Sequence, residues 1–526
     1  MDETRFERSI TSLLNQALAL DPEKEVIYDG TRRINYRELH EESDWIASAM
    51  SRLGIGKGDR IGVSLPNWHE FIVLYFAISK LGAILVPFNT RYREDEVEYI
   101  LSNSGAKIVF FPQDADNLNH ADKFIQISRR LDTLQHLITV RFQLDGMESY
   151  EDLLKKGKTA PPPAVDIDPK EDLFAILYTS GTTGRPKGVM LTHKNQVYQA
   201  IMGVERMLCT PEEVFLMPTP LFHVMGLTLS FRTVAIGARM VLMDKYKPEI
   251  ALSLIESEKV TYHPGVPTMF ILELNHPSFG SYDLSSLRTG EMAAAPCPEE
   301  IVRRIRSDMG CNVMVGYGLT ETSPTLTQTN FADDDAMRAE TVGKAWPGVE
   351  IKIADEQRRE VATGEVGELA CRSIGLMKGY YQMPDKTAEA VDDEGWFYTG
   401  DLATKDEKGY IRIVGRKKEM VIRGGYNIYP REVEEIFYTH PKVLEIAVVG
   451  LPDTVLGQIS CAVIRLKPGE TATTEEMRAF IKERIADYKV PDKFVFREQF
   501  PVTPSGKIKK VELQHELENE LVNELR

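Results

Sequence analysis

This sequence predicts an α/β protein that ends in a small, separately folded unit, and three observations carry that expectation. From about Glu25 onward, helical periodicity alternates with short runs rich in β-branched residues, the pattern of layered helices and strands. After Asp401 the chain turns β-rich over roughly a hundred residues, a common size for a domain. At 526 residues it is also too long for one ordinary core, so several packed units are required.

Taken in order, "INYRELHEESDWIASAMSRLGI" reads as a short strand followed by a helix, "DRIGVSLPN" as a strand and "AKIVFF" as another. The most membrane-like stretch, Phe71 to Phe88, contains Lys80 and Gly82, so it reads as a buried helix running into a buried strand. No integral membrane segment is expected. Three consecutive prolines in "KTAPPPAVDIDP" forbid a helix and make a connector before the apolar strand "LFAILYTS". In the later unit "GYIRIVGRKKEMVIRGG" reads as β, "PREVEEIFYTH" as a helix, and "EIAVVGLPD" and "ISCAVIRL" as strands. With no long linker before it, its mobility should come from a few residues between Gly415 and Glu419. The closing "VELQHELENELVNEL" spaces its leucines as an amphipathic helix.

Composition narrows the function. Hydrophobic residues make up 43% and charged residues 27%, as in folded soluble proteins. The 63 basic and 79 acidic residues leave a formal charge of −16, which argues against nucleic acid as a partner. Five scattered cysteines without a C-x-x-C pair suggest neither a zinc site nor a disulfide framework. The opening "MDETRFERSI" lacks the basic start and apolar core of a signal peptide, and a cytoplasmic location is expected.

The densest chemistry lies in "YTSGTTGRPKG", Tyr178 to Gly188, directly after the apolar strand from Leu173. Gly181, Gly184 and Gly188 free the backbone to present successive N–H groups, Thr179, Ser180, Thr182 and Thr183 add hydroxyls, and Arg185 and Lys187 add charge. Such a loop is an anion cradle. It is not a Walker A loop, because Lys187 is followed by Gly188 rather than by Ser or Thr. Alone, it would also suit a flexible surface turn.

Five further motifs follow: "LFHVMG" (221 to 226), "GYGLTETSP" (316 to 324), "YTGDL" (398 to 402), "GRKKEMVIRGGYNIYPREVEE" (415 to 435) and "PVTPSGKIKK" (501 to 510). With the anion loop they resemble, in the same order, the adenylate-forming superfamily of acyl-CoA synthetases, nonribosomal adenylation domains and luciferases. The resemblance covers nearly the whole chain. It implies a large multi-layer N-terminal α/β domain over 1–416 and a small mobile α+β C-terminal domain over 417–526. It also implies ATP, Mg2+ and CoA as cofactors, a small-molecule carboxylic acid as substrate, and it allows a homodimer.

The residue roles follow from the same resemblance. Thr179, Ser180, Gly181, Thr182, Thr183, Gly184 and Lys187 would hold phosphates, and Gly316, Tyr317, Gly318 and Ala295 would meet the nucleotide, with the Tyr317 ring under adenine. Thr320 would donate to phosphate and Glu321 would hold magnesium. Asp401 and Arg416 would contact the ribose. Lys507 would bridge the carboxylate and the α-phosphate, Lys418 would be the hinge, and Gly424 and Gly425 would face the pantetheine arm of CoA. His223 would stand at the acyl pocket near the carboxylate, with Val224, Gly265, Val266, Gly290 and Ala294 lining an apolar, roomy slot.

Two features depart from the pattern. "TGEMAAAP" puts Glu291 and Met292 at the pocket edge where many relatives have Gly-Gly or Ser-Gly, and Arg232 interrupts the apolar run "LSFRTVAIG". Arg232 could meet the distal carboxylate of a dicarboxylic acid, pair with a protein acid, or snorkel outward. The reading is therefore an AMP-forming acyl-CoA synthetase for a medium- or long-chain fatty acid. Its alternatives are a CoA ligase for an aryl, alicyclic or dicarboxylic acid, and an acyl-AMP ligase that loads a carrier protein. A non-catalytic nucleotide or acyl sensor is a further class, against which the joint presence of Glu321, Asp401, Arg416 and Lys507 argues.

Overall fold

Two large sheets dominate the N-terminal domain. The computed structural model describes residues 2–115, 118–179, 185–293, 299–503 and 508–524. In the nine-stranded sheet, Asn312–Tyr317, Thr289–Met292, Tyr262–Gly265, Val214–Met217, Arg239–Leu242 and Glu25–Tyr28 run parallel and adjacent in that order. In the eight-stranded sheet, Leu173–Thr179, Ile84–Pro87, Arg60–Val63, Ile108–Pro112 and His136–Val140 do the same. Parallel strands covered on both faces need apolar side chains throughout rather than alternation. Ile84–Pro87 and Ile108–Pro112 are accordingly buried at every position.

The stretch most like a membrane span is the helix His69–Lys80 followed by the strand Ile84–Pro87. His69 to Ser79 are all buried, so the helix lacks a polar face because it lies between layers. Among the described residues no helix is long and apolar enough to cross a membrane. The preceding helix, Tyr36–Arg52, starts at a capping box in which Asn35 Oδ1 accepts from Glu38 N at 2.8 Å and Glu38 Oε2 accepts from Asn35 N at 2.9 Å. Phe231, on the buried helix Val224–Ala235, packs against Tyr75, Phe76 and Phe174 with ring centroids 5.5, 6.0 and 5.4 Å away.

A four-stranded antiparallel sheet follows, ordered Val349–Ala354, Gly367–Ser373, Phe397–Lys405 and Ile411–Arg416. The smaller C-terminal domain then forms its own five-stranded sheet from Val421–Arg423, Tyr426–Ile428, Val443–Asp453, Gly457–Leu466 and Lys493–Phe496. Successive residues of Val443–Asp453 feed different cores, as strand alternation requires. Ile446 and Val448 pack with Val433, Phe437 and Met477 on one face. Ala447, Val449 and Leu451 pack with Leu513 and Leu517 of the closing helix on the other. The leucine spacing of that segment serves a domain core.

Candidate active site

Parallel sheets leave a crevice at the carboxyl ends of their strands, and "YTSGTTGRPKG", "LFHVMG" and "GYGLTETSP" lie at or follow such ends, at Thr179, Met217 and Tyr317. Thr179 and Lys187 form the last register pair of the hairpin between Leu173–Thr179 and Lys187–Thr192, so the loop between them has pinned ends. Ser180, Gly181, Thr182, Thr183 and Gly184 of that loop lie outside the described residues, as do Ala294, Ala295 and Lys507.

Beside the loop, Lys187 Nζ sits 4.6 Å from the ring centroid of Tyr380, while the Tyr380 hydroxyl donates to Glu321 Oε1 at 2.9 Å. Burial and then the Glu321 carboxylate push the phenol upward, which keeps it a donor. The backbone adds to this. Met377 N donates to the Glu321 carbonyl at 2.8 Å, and Tyr380 pairs with Val189 as the next strand of the hairpin sheet. One tyrosine thus joins the lysine after the anion loop to the acid of "GLTE". Tyr380 was not among the residues expected from sequence, because a strand of two residues, Gly379–Tyr380, has no periodicity to read.

A second group forms where the strand Asn312–Tyr317 meets the four-stranded sheet. The Tyr317 hydroxyl donates to Asp401 Oδ2 at 2.6 Å, Arg416 Nε lies 3.1 Å from Asp401 Oδ1, and Asp401 and Arg416 are backbone partners across the ladder. Asp401 is only 4% exposed. Its carboxylate raises the Arg416 guanidinium, and burial followed by that same carboxylate raises Tyr317 well above the usual phenol range. The acid, the arginine and the aromatic ring are therefore brought together. Thr320 lies half-buried in the short turn of 3-10 helix Thr320–Thr322 between the two groups' motifs.

His223 caps the helix Val224–Ala235, its Nδ1 accepting from Met225 N at 3.3 Å. In a neutral imidazole that leaves Nε2 as the protonated nitrogen. Val224 and Val266 are buried, and Gly265 ends its strand beside them. At Gly290 a Cβ would lie 2.0 Å from the His263 carbonyl oxygen, so its missing side chain spares the neighbouring strand a clash.

Arg232 and Glu291 are not separate oddities. Arg232 Nη1 lies 2.8 Å from Glu291 Oε2, with the Tyr262 hydroxyl accepting from Arg232 at 2.8 Å and donating to Glu291 at 3.1 Å. Arg232 thus pairs with a protein acid, the second of the three options for it.

In the small domain, Gly424 and Gly425 make the turn between Val421–Arg423 and Tyr426–Ile428 with φ of 56° and 87°, values that disfavour any side chain. Lys418 is exposed in the turn between the four-stranded and five-stranded sheets. There Glu419 N and Met420 N donate to the Arg416 carbonyl at 3.0 and 3.1 Å. Past it, Lys510 Nζ sits 3.3 Å from Glu419 and 2.7 Å from Glu434.

A divalent cation needs hard oxygen ligands. Glu321 supplies a carboxylate whose Oε1 is oriented by Tyr380 and which retains lone pairs for a cation, so it fits magnesium shared with phosphate oxygens. Asp29, His69 and Glu70 also lie within coordinating reach of one another, yet Arg141 donates to Asp29 at 2.5 Å and to Glu70 at 2.7 Å and supplies the positive charge there. Among the described residues, Cys209, Cys311, Cys371 and Cys461 carry free thiols, each pushed up to about 12 by burial. None of these four is a thiolate at neutral pH.

The AMP-binding enzyme family matches residues 14–381, and the AMP-binding enzyme C-terminal domain matches residues 432–507. The human mitochondrial medium-chain acyl-CoA ligase ACSF2 is 37% identical over 95% of this chain and 86% of its own length. A long-chain-fatty-acid–CoA ligase of Bacillus subtilis (strain 168) is 34% identical over 97% of this chain and 95% of its own. Among solved structures, the anthranilate CoA ligase AuaEII in complex with anthranoyl-AMP superposes with a TM-score of 0.91 at 27% identity, covering 99% of this chain and 100% of that one.

Proposed function

Because the chain belongs to the AMP-binding enzyme family, as an AMP-forming acyl-CoA ligase that uses ATP and CoA, we propose that its acid is a medium- or long-chain fatty acid and that it works in the cytoplasm. The observation that carries the substrate class is the helix Val224–Ala235 behind the His223 cap, buried at every position and apolar at Val224, Met225, Leu227 and Leu229, while Phe231 packs into the core. A long apolar wall rewards methylenes, at about 0.8 kcal/mol for each one buried.

Residues 1–416 bind ATP and the acid, and 417–526 turn about Lys418 to bring two different segments to the same site. In the first step a carboxylate oxygen attacks the α-phosphorus, and the bond to the β-phosphate breaks to release pyrophosphate. Asp401 and Arg416 hold the ribose, Tyr317 backs the adenine, and the loop from Thr179 to Lys187 with Thr320 holds the phosphates. Glu321 would hold magnesium, which when bound offsets charge on the phosphates. Lys507 steadies the charge that grows between carboxylate and phosphate, and His223 orients the carboxylate. In the second step the CoA sulfur attacks the acyl carbon and AMP leaves, with Gly424 and Gly425 lying against the pantetheine arm.

An aryl acid is the second reading, favoured by the similarity to the anthranilate CoA ligase structure. A dicarboxylic acid is disfavoured, because Arg232 is engaged by Glu291. The test is a panel of linear, aryl and cyclohexane acids scored by CoA-dependent AMP formation. The fatty-acid reading expects kcat/KM to rise about fourfold per methylene until the slot is full. A flat response to length with strong turnover of benzoate-like acids would transfer the assignment to the second reading.

A further inference from the structure

Three chain segments that carry residues assigned to the acyl pocket, His223, Gly265 and Gly290, each send one polar group to a single buried point. The helix behind His223 contributes Arg232, eight residues beyond Val224 and so about 12 Å further along its axis. The strand that ends at Gly265 contributes Tyr262 from its foot, and the strand that ends at Met292 contributes Glu291, in register with Pro264 and Met314. The Glu291 carboxylate also borders the strand Asn312–Tyr317, since a Cβ at Gly316 would lie 3.5 Å from its Oε1. Arg232, Tyr262 and Glu291 are 1%, 0% and 4% exposed.

We propose that this triad is the floor of the acyl slot and sets the longest tail the enzyme accepts, an inference that rests on the fatty-acid reading above. Its stiffness comes from closed bonding. Arg232 donates to the phenol, the phenol donates to the carboxylate, and the carboxylate pairs with Arg232. A tail pressing between them separates a buried ion pair, whereas apolar floor residues would turn aside into other rotamers. A distal carboxylate fares worse, because it meets the Glu291 charge with Arg232 already neutralised. The neighbouring helix His193–Arg206 is shaped around this group: a Cβ at Gly203 would lie 2.2 Å from Arg232 Nε. Glycine is disfavoured inside a helix, and here it makes room for the guanidinium.

The test replaces the whole pair, since removing one partner strands a buried charge, while apolar replacement of both is often neutral for folding. The double variant Arg232→Met/Glu291→Val and the single variant Tyr262→Phe are compared with wild type across saturated acids of increasing length, with thermal unfolding as the check on folding. The double variant should move the optimum by at least two carbons. Its kcat/KM for an acid two carbons beyond the wild-type optimum should rise about tenfold relative to the wild-type best substrate, with KM for ATP unchanged. Tyr262→Phe, which loosens the floor without removing it, should shift the profile in the same direction by less. If wild type uses linear acids but folded variants show the wild-type length profile, scaled equally at all lengths, the triad is a structural pair and the proposal fails alone. If wild type turns over no linear acid, the fatty-acid reading and the floor fall together.

Discussion

The nucleotide side of the site and the small-domain side are built on opposite plans. On the nucleotide side, Asp401 is buried, bonded to Tyr317 and paired with Arg416, and Glu321 is oriented by Tyr380. On the small-domain side, Lys418 stands in an exposed turn, Gly424 and Gly425 sit at a hairpin tip, and the adjoining Tyr426 and Val455 are 61% and 88% exposed. Groups needed throughout both steps can be fixed in advance, which removes reorganisation at the moment of reaction. Groups needed in one step only have to leave, and exposed turns are where backbone can rotate cheaply. Changes on the fixed side should therefore impair ATP use in general, and changes on the moving side should separate the half-reactions.

The largest separation is expected from Lys507→Ala. Loss of one preorganised charge at a developing anion costs about 10²–10³ in rate, so pyrophosphate exchange should fall by that factor while thioester formation from supplied acyl-AMP survives. Equal losses in both assays would erase the contrast between the two sides.

The large domain also has a stability signature. His193, fully buried at the start of the helix His193–Arg206, accepts from Ile10 N at 3.3 Å and is pushed down to about 4 by burial. Its folded value lies below the unfolded value of about 6.5, so its contribution is complete above pH 6.5 and is lost as pH falls toward 4, by about 3 kcal/mol. Denaturant unfolding between pH 7 and pH 4.5 should show that slope in wild type and a shallower one in His193→Gln. The same slope in both proteins would place the acid sensitivity elsewhere.

Next in size is Asp401→Asn, which keeps the shape but removes the charge beside Arg416 and Tyr317. Hydrogen bonds to charged groups are worth about 1.5–3 kcal/mol, so KM for ATP should rise roughly ten- to a hundredfold with KM for the acid little changed. Similar rises for both substrates would mean that Asp401 supports the whole crevice rather than the ribose. The smallest effect is expected from Lys418→Pro. Proline fixes φ near −65°, and acyl-CoA formation should slow by about tenfold, 1.4 kcal/mol on that step, while pyrophosphate exchange continues. Parallel changes in both half-reactions would make Lys418 an ordinary surface lysine.

What could be read from the sequence follows from how locally each feature is encoded. The strand before the anion loop, the helix and strand of Phe71 to Phe88, and the alternation in "EIAVVGLPD" each declare themselves within about ten residues, because burial on one or both faces fixes the local pattern. The pairing of "YTGDL" with "GRKKE" was legible as two motifs, but the contact of Tyr317 with Asp401 joins residues 84 apart and needed the fold. Arg232 and Glu291 each stood out as a charge in apolar surroundings, yet only the packing of helix on sheet makes them partners across 59 residues. The sequence places Gly290 at the pocket, but the carbonyl that leaves no room for a Cβ there belongs to another strand and left no local sign. The order of the nine-stranded sheet left no local trace at all, because strand neighbours there are set by crossovers rather than by sequence proximity.

The helix Val224–Ala235 carries a further consequence for how selectivity could change over generations. It is one buried helix, anchored by a cap at one end, by Thr228 donating to Gln196 in the middle and by an ion pair near the other. Under the proposed floor, trimming one side chain of the triad shifts the tail limit by a carbon or two. A larger step follows if the obstruction moves to another turn of the helix, since successive turns are about 5.4 Å apart. With carbon–carbon bonds of about 1.5 Å, one such move is worth roughly four carbons of extended chain. If the floor proposal holds, relatives whose obstruction sits one turn away should differ in tail preference by a step of that size.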